Sequence, residues 1–183
     1  MKWLAALFTL LALAAGSAHA TPAQDVLGRP VPIGDGRPTL VFYTNRDTQA
    51  ALHDTAFPFT FQLRREKPLV VVRFDLSDVP SLLRGAAKGE IRKAERDSVA
   101  AMARLFRQHG LTPPPRLADS LYMVADSDGQ PRRAVGLQKH FRQPFAQALD
   151  TDGHELAKGP FPQDASRLAH AIRTHAPLAE AQR

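Results

Sequence analysis

The sequence of 183 residues contains no cysteine, and this absence removes all chemistry that depends on a thiol. The chain can form no disulfide, no thiolate nucleophile and no thiolate metal ligand. It also lacks a nucleophile elbow, a phosphate-binding glycine loop and a dinucleotide fingerprint, which weakens hydrolase and nucleotide-enzyme interpretations. No two histidines have metal-site spacing supported by a third ligand. We therefore expect neither a metal nor a cofactor.

A long apolar run occurs only at the N-terminus. Lys2 precedes an apolar stretch over residues 3–15, and small residues ending in Ala18-His19-Ala20 follow it. The run is shorter than the roughly 20 residues needed to span a bilayer, and the Ala-x-Ala pattern is typical of signal cleavage. We predict a signal peptide over residues 1–20 and a periplasmic or secreted domain over residues 21–183. After cleavage we expect no embedding in a membrane.

Acidic residues are outnumbered, 18 against 24 lysines and arginines, which gives a formal net charge of +6. A basic balance favours anionic partners by long-range attraction. However, the charges are interspersed along the chain, and no nucleic-acid recognition motif is present. We therefore expect no nucleic-acid binding.

Hydrophobic spacing predicts alternating strands and helices. Residues 39–43 and 69–75 are short apolar runs typical of buried strands. Residues 90–108 place apolar side chains at three- and four-residue intervals, which predicts the longest helix. Residues 163–174 predict a final helix. Two strands joined by a helical crossover are expected to run parallel.

The loop after the first strand is predicted to start a helix. Asp47 or Thr48 can cap a helix from about Gln49, because their side-chain oxygens accept otherwise unpaired backbone N–H groups. Pro58 has no backbone N–H and predicts an interruption, and residues 57–61 alternate as an extended segment does. We therefore expect this helix to be short or kinked.

The second half of the chain repeats a unit in which a strand enters an Asp-x-Asp-Gly turn, at residues 121–129 and 145–153. Because Asp-Gly accommodates the backbone of tight hairpins, we predict return strands at 132–137 and 155–158. A calcium loop would need further acidic ligands that neither unit has. The whole pattern predicts an α/β three-layer sandwich, a mixed central sheet with helices on both faces.

Four pieces of the chain stand in a recognisable order. They are the lead-in Leu27-Gly28-Arg29-Pro30, the strand at 38–43, the unit Asp126-Ser127-Asp128-Gly129, and Pro144 before residues 145–153. Their order resembles the thioredoxin-like superfamily, in its exported redoxin branch related to peroxiredoxins and thiol-disulfide oxidoreductases. It is also similar to small periplasmic YtfJ-type proteins, which share the strand and Asp-Gly units and lack the redox pair. The resemblance implies a thioredoxin-like sandwich over most of residues 21–183.

In redoxins the loop after the first strand carries the reactive cysteine at a helix N-terminus. Alignment by this resemblance places Asp47 near the first cysteine position and Ala50 near the second. Neither residue can act as a thiol, so thiol oxidoreductase and thiol peroxidase activities are excluded. The resemblance further implies that Pro144 is a cis-proline facing this loop, on the surface that aligns an extended chain in active relatives. The residues alone leave open the trans form, in which Pro144 begins a strand.

We predict a redox-inactive binding or accessory module whose partner is a periplasmic protein or an extended peptide. An alternative is a small-molecule enzyme that uses Asp47, Arg46 or a nearby histidine in acid–base chemistry. A third is a structural protein with no single ligand. No catalytic residue is assigned. The predicted binding surface comprises Asn45, Arg46, Asp47, Thr48, Phe141 and Pro144.

Overall fold

A five-stranded mixed sheet organises residues 23–176, the part of the chain that the computed structural model describes. The predicted signal peptide and its cleavage site lie outside these residues. The order in the sheet is β3-β2-β1-β4-β5, with β1, β2 and β3 parallel, and with β4 antiparallel to both β1 and β5. The strands are β1 (Thr39–Thr44), β2 (Leu69–Asp75), β3 (Leu121–Asp126), β4 (Phe145–Leu149) and β5 (Glu155–Pro160).

Helices cover the sheet unevenly. The helices are α1 (Gln49–Gln62), α2 (Arg84–Gln108), α3 (Gln130–Ala134) and α4 (Ala165–His175). Apolar residues of α1, α2 and α4 pack on one face. Helices α1 and α2 share this face because both parallel crossovers proceed in the same direction across the sheet and have one hand. The opposite face is covered by the lead-in before β1 and by residues around α3. The predicted α/β sandwich with a mixed sheet is confirmed.

Alternation along the strands supplies both cores, since successive side chains of a strand point to opposite faces. Leu40 and Phe42 face the three long helices, whereas Val41 and Tyr43 face the lead-in and the α3 segment. Every residue of β1 is buried, as expected for a central strand.

The predicted interruption at Pro58 is wrong, because α1 continues through it to Gln62. Phe59 and Phe61 are buried, and their rings contact Phe161 and Phe106 with centroid separations of 5.1 Å each. Burying two phenylalanine rings offsets the single backbone hydrogen bond that proline removes. Tertiary packing therefore decides the local structure here.

The first Asp-Gly unit does not form the predicted hairpin. Gly129, at φ +66°, leads into α3, and residues 132–137 form no strand. The inner side of β3 is paired with β2, and on its outer side the Val26 amide donates to the Met123 carbonyl at 2.8 Å. The second unit forms the predicted hairpin between β4 and β5, with Gly153 at φ +88°.

The longest helix is confirmed but begins at Arg84, earlier than predicted. The three residues before it form a 3-10 turn, Ser81–Leu83. The predicted final helix is also confirmed, as α4. Within residues 23–176, none of the helices combines the length and the apolar character needed to cross a membrane.

A buried ion cluster fixes the lead-in to the outer edge of β3. The Asp25 carboxylate accepts the Leu27 and Arg29 amides at 2.9 and 2.7 Å and the Arg29 Nε at 2.6 Å. The Arg29 guanidinium also contacts Glu95 of α2 and lies 4.6 Å from the centre of the Tyr122 ring. Glu95 is 2% exposed, and burial raises its pKa to about 7.

Candidate functional site

The predicted surface lies where the parallel strands end, the edge at which open α/β sheets commonly bind ligands. The loop after β1 is joined there to the segment before β4, because Asn45 Nδ2 donates to the Phe141 carbonyl at 2.9 Å. The structure thus brings together two segments that are almost 100 residues apart in the sequence. Their juxtaposition is the one that the resemblance implied.

Asn45 organises the loop and replaces the predicted caps. Its Oδ1 accepts the Asp47 amide at 2.9 Å, the Thr48 amide at 3.0 Å and the Thr48 hydroxyl at 3.1 Å. Thr48 stands at the cap position of α1, but neither it nor Asp47 forms a side-chain cap. The prediction of these two residues as caps is wrong, because the Thr48 hydroxyl bonds to Asn45 and Thr44 instead, and the side chain that closes the turn before α1 is Asn45.

Thr48 lies beneath the surface rather than on it. The residue is 1% exposed, and its hydroxyl is 2.9 Å from that of Thr44 and accepts the Asn45 amide at 3.0 Å. Asn45, Arg46 and Asp47 therefore form the accessible part of the loop, whereas Thr48 supports them from below. The turn closed by Asn45 exposes Arg46 and Asp47 and buries Thr48. The composition of the loop does not predict this difference in burial.

Pro144 is also buried, and its carbonyl accepts the Phe161 amide at 2.8 Å. The peptide bond before Pro144 is trans, and the cis bond within residues 23–176 is Phe161-Pro162. Of the two forms left open for Pro144, the structure therefore has the trans form and not the cis form that the resemblance implies. The trans form is the favoured isomer of an X-Pro bond, and here it leads directly into the extended backbone of β4.

Arg46 and Asp47 are the exposed charges of the loop. Within residues 23–176 neither side chain takes part in an ion pair or a side-chain hydrogen bond. His53, the nearest histidine along the chain, contacts Asp54 at 3.3 Å and the Phe57 ring at 5.1 Å between centroids. A catalytic base needs a partner that orients it, and the described residues give Asp47 none.

A large apolar groove opens beside this loop, between α1 and α2. Its volume is about 1250 Å³. Asn45, Arg46 and Ala50 line one end, and Arg64 and Lys67 line the other. The floor and walls are mainly apolar side chains from the sheet and both helices, including Phe42, Val70, Val72, Ala56, Ile91 and Ala94. Sequence reasoning missed the groove, because it depends on the spacing of two helices.

Buried ion pairs hold the neighbouring loops in place. Arg73 of β2 binds Asp126 of β3 through two hydrogen bonds, Nε–Oδ2 at 2.9 Å and Nη2–Oδ1 at 3.1 Å. Arg132 of α3 pairs with Asp75 at 2.7 Å, and both side chains are 8% exposed. Tyr43 donates to Gln147 Oε1 at 3.1 Å, and burial raises the Tyr43 pKa to about 12. These groups serve as fixed supports.

A second set of ion pairs connects the loop after β2 to the segment before β4. Asp78, after β2, contacts Lys139 at 2.6 Å and His140 at 3.1 Å. The hydrogen bond from Lys139 holds the Asp78 pKa below its usual range. His140 has a positive φ of 59°, so this contact coincides with a sharp bend just before Phe141.

Asp150, Asp152 and His154 lie together in the hairpin between β4 and β5. The Asp150 Oδ1 accepts the Asp152 amide at 2.9 Å and the His154 amide at 2.8 Å, so it closes the turn. These bonds hold the Asp150 pKa below its usual range. The cluster therefore has the arrangement of a hairpin turn, in agreement with the interpretation of its sequence.

No protein-family model matches the sequence, and no curated protein matches it either. Among solved structures it is similar to an exposed lipoprotein thioredoxin from Streptococcus pneumoniae, with a TM-score of 0.50 and 12% identity, over 83% of this chain and 96% of that chain. The fold is thioredoxin-like. A thioredoxin-like protein from Aeropyrum pernix gives the same TM-score and identity, over 83% of this chain and 87% of that chain.

StoA from Bacillus subtilis is a further similar structure, with a TM-score of 0.47 and 12% identity over 82% of this chain and 93% of that chain. The predicted resemblance is confirmed at the level of the fold. At these identities the likeness concerns the fold alone. Because this chain has no cysteine, the fold stands here without the residue that performs redox chemistry.

Proposed function

We propose that this chain is a redox-inactive, periplasmic binding module, and that its partner is a protein that lays an extended apolar segment in the groove between α1 and α2. The observation that carries the proposal is the groove itself. It is about 1250 Å³ in volume, and it opens at Asn45 and Arg46. Sites of this kind combine apolar walls with a few polar groups that fix orientation.

The length of the groove fits an extended segment of about six residues. The groove is lined from Arg46 to Lys67, so it follows α1, whose 14 residues rise about 21 Å. An extended chain advances about 3.3 Å per residue. Cations and acids both line the groove, so it selects an apolar segment rather than a segment of one charge. The cations include Arg46, Arg64 and Lys67, and the acids include Asp54, Glu90 and Asp119.

The predicted surface residues take two roles in this proposal. Asn45 and Arg46 line the mouth of the groove. Asp47 is exposed beside them on the same loop, and Asn45 joins this loop to the segment before β4 by donating to the Phe141 carbonyl. Thr48 and Pro144 position that mouth from below. The partner then meets a rigid, preorganised loop, which reduces the entropy lost on binding.

Photo-crosslinking in cells tests the proposal. A photoreactive residue in place of Ala50, which is exposed and lines the groove, should give a discrete adduct with a protein partner. Ala94→Trp fills the groove from α2 and should abolish the adduct. Ala100→Trp places the same bulk on an exposed position of α2 outside the groove and should leave it unchanged. No adduct, or equal adducts in both tryptophan variants, would contradict the proposal.

The acid–base enzyme remains a prediction without a supporting observation, because Asp47 has no orienting partner among residues 23–176. A turnover that Asp47→Ala removes would distinguish an enzyme from the binding module, because partner binding is expected to persist in both. In an enzyme the substitution would remove turnover and leave partner binding intact. In the proposed module it should leave the Ala50 adduct within about twofold, since an exposed rim charge contributes little affinity.

A further inference from the structure

The outer surface of α2 carries a concentration of positive charge. Four cations recur every four residues from Arg84, so they follow one stripe along the helix. The other three extend this stripe around the exposed face. The seven residues, here called the α2 basic face, are Arg84, Lys88, Arg92, Lys93, Arg96, Arg104 and Arg107.

Few acidic groups among residues 23–176 neutralise the charge of this face. Within residues 23–176 none of the seven cations takes part in an ion pair. Arg84 and Arg92 each donate Nε to a backbone carbonyl, of Val79 and Val26 respectively, and these contacts leave the charge uncompensated. The exposed acids of α2 are Glu90 and Asp97 only, since Glu95 is buried. Seven positive against two negative charges leave a local excess of five.

Two leucines project from the turn at the start of the same helix. Leu82 is 91% exposed and Leu83 is 55% exposed, and they are the two most exposed large apolar residues of the described chain. The turn that displays them is ordered. The Leu83 amide donates to the Pro80 carbonyl at 2.8 Å, and Arg84 Nε donates to the Val79 carbonyl at 3.0 Å. The structure therefore holds both leucines outward.

A third exposed leucine adjoins the basic face. Leu27 of the lead-in is 47% exposed, and it lines a cavity of about 580 Å³ together with Lys88 and Arg92. The cavity is open and lies between the lead-in and α2, with backbone of Gly28 in its wall. An anionic headgroup can reach both cations there while acyl chains lie against the leucine.

We propose that the α2 basic face, with Leu82 and Leu83 at its end, docks the protein on an anionic lipid bilayer. The cations contact lipid phosphates, and the leucines enter the boundary between headgroups and acyl chains. Stable attachment to a bilayer takes two signals of this kind, a basic patch and an apolar insertion. The groove between α1 and α2 takes no part, so this inference is independent of the proposed function.

The leucines favour a bilayer over a soluble polyanion. A nucleic acid or another polyanion gains from the seven cations but offers no apolar phase for Leu82 and Leu83. Single exposed apolar residues are ordinary on protein surfaces. Here, however, two adjacent leucines lie on an ordered turn at the end of a helix whose cations form no ion pairs. A bilayer explains this combination, because it offers an apolar acyl region beside anionic headgroups.

Vesicle co-sedimentation tests this proposal. The protein from residue 21 onward is mixed with vesicles of phosphatidylcholine alone or with about one third phosphatidylglycerol, at low and high salt. Binding is expected to the anionic vesicles and to fall steeply with salt. Leu82→Ser with Leu83→Ser should reduce the partition coefficient about tenfold. Lys93→Gln with Arg96→Gln should reduce it about thirtyfold.

Arg65→Gln with Arg142→Gln is the matched control, because it removes two exposed positive charges that lie outside both α2 and the lining of the groove. It should change binding by less than about threefold. Circular dichroism melts verify that each variant is folded. The proposal is overturned by absent binding to anionic vesicles at low salt, or by an equal loss in the control. It is also overturned if the variant with both leucines replaced binds the anionic vesicles as the wild type does. That result would indicate that the basic face binds a soluble polyanion.

Discussion

The two Asp-x-Asp-Gly units have the same pattern in the sequence and different structures. In the unit at 150–153, the Asp150 carboxylate accepts two amides of its own turn, and the chain reverses into β5. In the unit at 126–129, the Asp126 carboxylate turns away from the backbone and binds Arg73 of the neighbouring strand. The same residue type closes a turn in one case and pairs with a charge in the other.

The neighbourhood of each strand explains the difference. The outer edge of β4 is available to β5, whereas the outer edge of β3 is covered by the lead-in, which Asp25, Arg29 and Glu95 fix in place. A return strand has nowhere to pair beside β3, so the chain passes through α3 to the opposite face of the sheet. Local turn chemistry permits a hairpin, and the availability of a sheet edge decides whether it forms.

The same substitution in the two units, aspartate to asparagine, should give the largest difference in stability between them. Asp126→Asn keeps the shape but leaves the Arg73 charge without its partner, and should cost about 3 kcal/mol of unfolding free energy. Asp150→Asn retains the oxygen that accepts both turn amides and should cost less than about 0.5 kcal/mol. Denaturant unfolding of both variants measures the difference. Equal losses would mean that the two aspartates have the same role.

The free energy of unfolding should depend on pH through Glu95, a member of the ion cluster that covers the β3 edge. Burial raises the Glu95 pKa from 4.5 to about 7, so the folded protein binds this proton more tightly than the unfolded chain does. The contribution of Glu95 to stability is therefore greatest at low pH and falls as the pH rises from about 4.5 to 7. Glu95→Gln should gain about 2 kcal/mol relative to wild type between pH 5 and pH 8.

Unfolding of Glu95→Gln and wild type at both pH values provides the measurement. Glu90→Gln removes an exposed charge from the same helix and serves as the control. A constant difference between Glu95→Gln and wild type across this range would show that Glu95 is already ionised at pH 5 in the folded protein. It would then be a permanent member of the cluster with Arg29.

Glycine substitutions test how far the β4–β5 hairpin depends on its backbone. Gly153 has φ +88°, and a Cβ there would lie 3.1 Å from Ile33 Cγ2. Gly36 has nearly the same φ, +89°, with nothing within 4 Å of its Cβ position. Gly36→Ala should cost about 1 kcal/mol and Gly153→Ala about 2 kcal/mol. Thermal unfolding measures both, and equal costs would mean that Ile33 moves aside freely.

Much of the fold could be predicted from local signals. Strands β1 and β2 follow from short apolar runs, and α2 and α4 from their periodicity. The errors arise where distant residues decide the structure. Helix α1 passes Pro58 because Phe59 and Phe61 reach a core built by other segments, and the return strand after β3 fails because residue 26 occupies the edge.

The candidate site shows the same division. The contact between Asn45 and Phe141 agrees with the predicted surface, and the exposed charges of Arg46 and Asp47 follow from the loop. The burial of Thr48 does not, because it depends on a hydroxyl contact with Thr44 below the loop. The groove between α1 and α2 has no signature in either helix alone. The groove depends on how far apart the two helices lie in the folded protein.

Pro131 provides the smallest and most discriminating test of the comparison. It lies in the first turn of α3, where proline favours a helix start and removes no needed hydrogen bond. If the covered edge of β3 decides the path of the chain, Pro131→Ala should cost less than about 0.5 kcal/mol. The Arg133 amide, which donates to the Gly129 carbonyl at 3.2 Å, should stay protected in hydrogen exchange. Loss of that protection would mean that local preference, rather than the sheet edge, selects the helix.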